Sequence, residues 1–238
     1  MHQSASQTAV KRVVPQAQTR IAAYLLTEYL ERLGVEVIFG LCGHTVIGFL
    51  DALGKSRIRY ISTRHEQVAA HAADGYARAS GKVGVLMTHL GPGLTNAATG
   101  VANAALDSIP MVVIAGDVPT YYYGRHPHQE VNLHQDADQF QIFRPFCKRV
   151  YRVDNVRDLP RIVERAFHLA QTGRPGPVLV DVPMDIFSAD LDVDAFATRR
   201  MDGGDARNDE RMGAMLALGD QLDGIDTFPS KLVFIATT

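Results

Sequence analysis

Apolar positions along this chain alternate between helical spacing and short continuous runs. Ile21, Leu25 and Tyr29 recur every four residues, with Ala22, Leu26, Leu30 and Leu33 beside them. That spacing predicts a helix with a broad apolar face, Thr19 as its N-cap and Gly34 just past its end. Residues 35–39 form a short β-prone run closed by Gly40. Residues 45–53 then read as a helix, 57–62 as a strand, and 65–80 as a long helix stopped by Gly81. They are followed by an apolar strand over 83–87, a helix over 95–106 and an apolar strand over 111–115. After a polar loop, 146–153 reads as a strand, 156–172 as a helix and 177–182 as a last strand. Strands that are apolar throughout and alternate with helices imply a mostly parallel sheet covered on both faces, with right-handed crossovers. The expected fold is α/β and doubly wound, over residues 19–187.

The pattern fades on both sides of that domain. Residues 1–18 are polar, with Lys11 and Arg12 and no acid, and read as a disordered tail rather than a transit peptide. Residues 188–210, rich in Asp, Arg and Gly, read as a linker. Residues 211–222 could form a helix, and 231–236 is strand-like. One helix and one strand cannot bury each other's faces, so 211–238 is expected to be the incomplete start of a second, central domain.

Composition narrows the class. Hydrophobic residues make up 46 % and charged residues 21 %, which is enough for a large core. A net charge of −2 supplies no basic field for nucleic acid or an anionic membrane surface. No apolar run approaches the roughly 18 residues that span a bilayer. Cys42 and Cys147 are distant and form no C-x-x-C pair, which favours a reducing, cytoplasmic compartment over a disulfide framework.

Several familiar motifs fail on inspection. His65 and His71 flank Glu66 but stand six residues apart. Zinc-protease helices need a spacing of four, which puts both rings on one face. Gly91-Pro92-Gly93-Leu94-Thr95-Asn96 follows a strand but has Asn96 where a dinucleotide fingerprint has its third glycine, so a nucleotide-dependent oxidoreductase is disfavoured. His126, His128 and His134 lie in one loop and read as polar surface, so no metal site is assigned.

Three loops remain, each after a predicted parallel strand: Gly40-Leu41-Cys42-Gly43-His44, Thr63-Arg64-His65-Glu66, and His89-Leu90-Gly91-Pro92-Gly93. In an open α/β sheet ligands bind at that edge, and glycines there let backbone approach a ligand. The helix starting at Thr95 would offer free N–H groups at its start. The helix after His65 is almost all small residues, which predicts deep burial with close packing on both sides. Glu66 in its first turn has two readings that chemistry alone leaves open: a solvated acid favoured by the helix dipole, or a shielded carboxylate poised for proton transfer.

An ordered set of motifs bears on that choice. It runs from His65-Glu66-Gln67-Val68-Ala69 and Ala73-Asp74-Gly75-Tyr76-Ala77-Arg78 through Gly91-Pro92-Gly93 with Thr95-Asn96 to Asp107-Ser108-Ile109-Pro110. It continues through Gln129-Glu130-Val131 and Thr172-Gly173-Arg174-Pro175-Gly176-Pro177-Val178 to Asp181-Val182-Pro183. Residues 19–187 thereby resemble the pyrimidine-binding domain of thiamine diphosphate enzymes of the acetolactate synthase class. The resemblance implies decarboxylation and carboligation of 2-oxo acids, with the cofactor held between two domains. Glu66 would hydrogen-bond a ring nitrogen of the aminopyrimidine and so assist removal of the thiazolium proton. Pro92 and Asn96 would lie near the pyrimidine, and Leu41, Cys42 and Gly43 at its edge. Gln129 would face the thiazolium and the substrate, with His89 and His128 in the acceptor pocket.

The resemblance also implies Mg²⁺ and a diphosphate held by a domain with a Gly-Asp-Gly motif that this sequence lacks. It leaves room for FAD, whose contacts fall largely beyond this chain, and implies a homodimer or homotetramer formed through the pyrimidine-binding domain. The alternative expectation is a non-catalytic remnant that only pairs with itself or a full-length sibling. Three positions depart from the family pattern: His89-Leu90 stands where Thr-Ser is usual, His128 where Phe precedes the Gln-Glu pair, and Cys42 where Pro is common.

Overall fold

A computed structural model of the chain describes residues 18–125, 129–132, 134 and 137–196. Its centre is a six-stranded sheet formed by β2 (Val37–Gly40), β3 (Arg59–Ser62), β4 (Gly84–Thr88), β5 (Met111–Asp117), β6 (Arg149–Arg152) and β7 (Pro177–Pro183). The strands run in the order β3-β2-β4-β5-β7-β6, and every pair is parallel. Six helices flank the sheet: α1 (Ala22–Arg32), α2 (Ile47–Leu53), α3 (Glu66–Ser80), α4 (Pro92–Leu106), α5 (Leu159–Gln171) and α6 (Met184–Ser188). The doubly wound α/β fold expected from the apolar runs is the fold found.

Alternation along the strands divides the core in two. Val85 and Met87, Val112 and Ile114, and Val178 and Val180 face a layer that includes Leu26 and Leu30 of α1, Phe49 of α2 and Val163 of α5. Their neighbours Leu86, Val113 and Leu179 face Ala69, Ala70 and Ala73 of α3 and Leu94, Ala97 and Val101 of α4. Successive strand residues point to opposite faces, so a strand covered on both sides must be apolar at every position. All seven residues of β5 and all seven of β7 are buried.

Several local expectations change. Thr19 caps no helix. It opens a short strand β1 (Thr19–Ile21), antiparallel to β8 (Asp190–Asp192), and α1 begins at Ala22. Backbone pairing outweighs the capping signal because residues 190–196, read from composition as linker, fold back onto the domain. Leu191 and Phe196 are buried, and the Phe196 ring stands 4.8 Å from that of Tyr29. The helix expected from Thr95 starts three residues earlier, at Pro92, because proline fits the first helical position. The N–H groups of the first turn are already engaged, with Gly93 donating to the Leu90 carbonyl at 3.0 Å and Thr95 to the Gly91 carbonyl at 2.9 Å.

The α3 helix is not buried on both sides. Ala69, Ala70, Ala73 and Ala77 face the core, while Val68, His71, Gly75 and Arg78 are exposed. It forms an outer layer, and its far face is exposed among the described residues. The tail at 1–17, the rest of the linker and residues 211–238 lie outside the described residues. Among the described residues no helix is long and apolar enough to cross a membrane.

Candidate functional site

In the strand order, β2 has β3 on one side and β4 on the other. The chain therefore reverses direction between β2 and β4, and loops leaving their carboxyl ends diverge around a crevice. The three loops singled out in the sequence leave β2, β3 and β4. Thr63 ties two of them together. Its N–H and its hydroxyl both donate to the Gly40 carbonyl, at 2.9 and 3.3 Å.

Glu66 is the first residue of α3. His65 precedes it in extended conformation, with its Nδ1 accepting from the Gln67 N–H at 3.2 Å, so this cap holds the first turn. Only 5 % of Glu66 is exposed. The Asn96 Nδ2 donates to Glu66 Oε2 at 3.0 Å. The other carboxylate oxygen, Oε1, faces Gly93, where a Cβ would come within 3.4 Å of it and within 3.1 Å of the His89 Cβ. The bare Cα of Gly93 thus keeps open the space beside a shielded carboxylate oxygen. A flat ring edge with a nitrogen donor fits such a slot.

His89 forms the opposite wall. Its Nδ1 shares a 2.7 Å hydrogen bond with the Thr45 Oγ1, and the His44 ring meets it edge-on at 4.5 Å. The close approach of the Leu41–Gly43 loop is made by Gly43, where any side chain would strike the His89 ring. Gln129 approaches His89 from the far loop, and its side chain acts on the imidazole against the effect of burial. Its backbone φ of 76° lies in the left-handed region, a strained conformation that clusters at binding sites in folded proteins.

Burial pulls the His89 pKa down to about 4, and the neighbouring His44 charge adds to this, against the Gln129 side chain and the Glu66 charge. A histidine with a lowered folded pKa stabilises the fold fully above its unfolded value of 6.5. That contribution is lost as pH falls from there towards about 4. The expected result is an imidazole NMR titration of His89 with a midpoint near 4 and a decline in unfolding midpoint across the same window. A midpoint near 6.5 would contradict the packing described.

Of the residues anticipated, Glu66 and Asn96 are in contact, and His89 joins Gly43, Gly93 and Gln129. Pro92 opens α4 beside Gly93. Leu41 and Cys42 flank Gly43, with Cys42 exposed. His128 lies outside the described residues, as does His126. Among the described residues no group of three or more His, Cys, Asp or Glu could hold a metal ion.

Several motif residues have structural roles. Arg78 bonds Asp74 at 2.9 Å and Asp107 at 2.6 Å, and Asn103 donates to Asp74, which ties α3 to α4. Arg174 donates to Ser108 at 2.7 Å and to the Leu106 carbonyl at 3.0 Å. The buried Glu130 accepts from the Gly124 N–H at 2.6 Å.

Two residues at or beneath the site, Thr45 and Gln139, were not singled out in the sequence, and His44 was marked only as the end of its glycine loop. Thr45 carries no signal there beyond following that loop. Gln139 is one of two glutamines that flank Phe140, with no motif around it, and it is 2 % exposed.

The "Thiamine pyrophosphate enzyme, N-terminal TPP binding domain" family matches residues 20–141. A probable acetolactate synthase large subunit of Methanococcus aeolicus is 46 % identical over 172 residues, which cover 72 % of this chain and 28 % of that protein. The acetolactate synthase of Arthrospira platensis is 45 % identical over 77 % of this chain and 30 % of its own length. The chloroplastic acetolactate synthase of Arabidopsis thaliana is 45 % identical over 76 % of this chain and 26 % of its own length. The chain thus spans between a quarter and a third of the curated relatives it matches. The matched segment runs from β1 through all three site loops to Gln139 and so contains both Glu66 and Asn96. This chain belongs to the thiamine pyrophosphate enzyme family and carries its N-terminal cofactor-binding domain.

Proposed function

We propose that this chain is the pyrimidine-binding part of an acetolactate synthase-like enzyme that decarboxylates and joins 2-oxo acids. The observation that carries the reading is the Glu66 carboxylate, shielded from water, oriented by Asn96 and open to one side across Gly93. When bound, thiamine diphosphate supplies the nucleophilic carbon and the electron sink that 2-oxo acid chemistry needs.

The chain's own residues then have separate tasks. Glu66 Oε1 would take or hold a proton at a pyrimidine ring nitrogen, with Asn96 keeping the carboxylate aligned for it. Pro92, Gly93 and the Leu41, Cys42, Gly43 loop form the walls of the ring slot. His89 stays neutral and, with Gln129, faces the substrate carbonyl as a hydrogen-bonding partner. His128 is assigned to the same acceptor pocket from the sequence.

The diphosphate and a Mg²⁺ ion would be held by a domain that carries the family's Gly-Asp-Gly motif. FAD is compatible with the reading and would make its contacts elsewhere. The exposed outer face of α3 and α4, where Val68 is 57 % and Leu106 77 % exposed beside small residues, suits a second copy of the domain and supports a homodimer or homotetramer. Two unpaired cysteines, one exposed and one buried, suit a reducing cytoplasm.

The test is turnover by the full-length protein. With thiamine diphosphate, Mg²⁺ and pyruvate, carbon dioxide release should depend on the cofactor and be accompanied by acetolactate. Cofactor-dependent release without acetolactate would keep the enzyme class and change the acceptor. No cofactor-dependent turnover across a panel of 2-oxo acids would refute the reading.

A further inference from the structure

We propose that Gln139 is a positioning residue for the cofactor site, fixing through the Gly91 N–H the loop that launches Pro92, Gly93 and Asn96 against Glu66. This rests on the function proposed above.

Gln139 lies in a 3₁₀ turn (Gln139–Phe143), and its carboxamide spans two parts of the fold. Its Oε1 accepts from the Gly91 N–H at 2.7 Å. Its Nε2 donates to the Gly116 carbonyl at 2.9 Å and to Asp181 Oδ1 at 2.6 Å. Gly91 and Gly116 belong to the ends of β4 and β5, and Asp181 to the core of β7. The amide thereby locks the loop to the two most buried strands. Gly91 has a φ of 50° and a ψ of −111°, and among the described residues no backbone carbonyl accepts its N–H. Without Gln139 that buried N–H would lack this acceptor. Only a carboxamide offers an acceptor to Gly91 and donors to two acceptors at once.

The partner at the other end is unusual. Asp181 is fully buried against Asp117, whose Oδ1 accepts from the Val118 N–H and whose Oδ2 stands 3.4 Å from the Arg152 guanidinium. Burial, and next the Asp117 charge, raise Asp181 well above the usual carboxylate range. Burial also raises Asp117, against the pull of Arg152. Asp181 accepts from Gln139 through Oδ1, while its other oxygen, Oδ2, is buried without a hydrogen-bond partner among the described residues. Asparagine would reproduce the contact to Gln139, with its carbonyl towards the Gln139 Nε2.

The test uses the full-length protein and two readouts: hydrogen–deuterium exchange of the 89–96 segment without cofactor, and deuterium exchange at the thiazolium carbon with saturating thiamine diphosphate. Gln139→Met should speed exchange in 89–96 by about tenfold or more while α5 stays protected. It should slow thiazolium exchange by about 10²-fold, the scale of a small misplacement of reacting groups. Asp181→Asn should leave both readouts within about twofold of wild type, since the carbonyl oxygen still accepts from Gln139.

Unchanged exchange in 89–96 for Gln139→Met would overturn the proposal, and so would wild-type thiazolium exchange. If that variant unfolds, Gln139→Asn takes its place, because its amide is too short to span both partners. Unfolding of both would make Gln139 a structural residue and overturn the positioning role. A wild-type protein that binds no thiamine diphosphate would instead refute the proposed function, while the cofactor-free exchange of 89–96 still decides whether Gln139 holds the loop.

Discussion

Glu66→Gln in the full-length protein is expected to slow deuterium exchange at the thiazolium carbon by about 10²–10⁴-fold, the usual contribution of a positioned acid or base. The substitution is nearly isosteric. The Asn96 Nδ2 that donates to Glu66 Oε2 at 3.0 Å would still find an amide oxygen there. The slot beside Gly93 would keep its shape, so cofactor affinity should change much less than the exchange rate. What is lost is the ability of the second oxygen to take and hold a proton. Glu66 also begins α3, where the helix dipole favours a negative charge by about 0.3–1 kcal/mol, so a small drop in unfolding midpoint accompanies the change. An exchange rate equal to wild type would remove Glu66 from the chemistry and leave it as a buried helix-start acid.

The two readings of Glu66 could not be separated by composition because both predict an acid in a first turn. Burial removes the solvated reading, and two neighbours define the surroundings of the carboxylate. Asn96 comes from a helix 30 residues away, and Gly93 withholds a side chain at the point where one would cover Oε1. Neither fact is local. Strand positions were legible because a strand buried on both faces is apolar at every residue, and that signal needs no partner. The helix starts were less legible. Thr19 has the chemistry of a cap, but β8 folds back to pair with it, and composition alone does not register that long-range contact. Pro92 begins α4 although glycine on either side argued for a loop. The outer face of α3 misled for a related reason. Small residues permit close packing, yet whether anything packs there depends on a surface outside the single chain. Gln139 left no trace in the sequence because a lone amide gains meaning only from its two ends, Gly91 and Asp181.

The second large effect is expected at Gly91. Gly91→Ala should destabilise the domain by about 2–6 kcal/mol, combining about 1–3 for a strained backbone with about 1–3 for overpacking. The backbone at Gly91, with φ at 50° and ψ at −111°, lies outside the conformations that a residue with a Cβ adopts readily. The added methyl would also point straight at the Gln129 carbonyl oxygen, inside van der Waals contact. Relief by moving Gln129 is costly, because Gln129 itself has a positive φ and approaches His89. Relief by moving the loop stretches the Gly91–Gln139 bond and carries Gly93 and Asn96 away from Glu66. Either path disturbs the site, so thiamine diphosphate binding should weaken together with the unfolding midpoint. Denaturant unfolding and cofactor titration of the same protein check this. A variant with wild-type stability and wild-type cofactor affinity would show that the turn into α4 relaxes freely, and the close packing of Gly91 on Gln129 would then hold no part of the site in place.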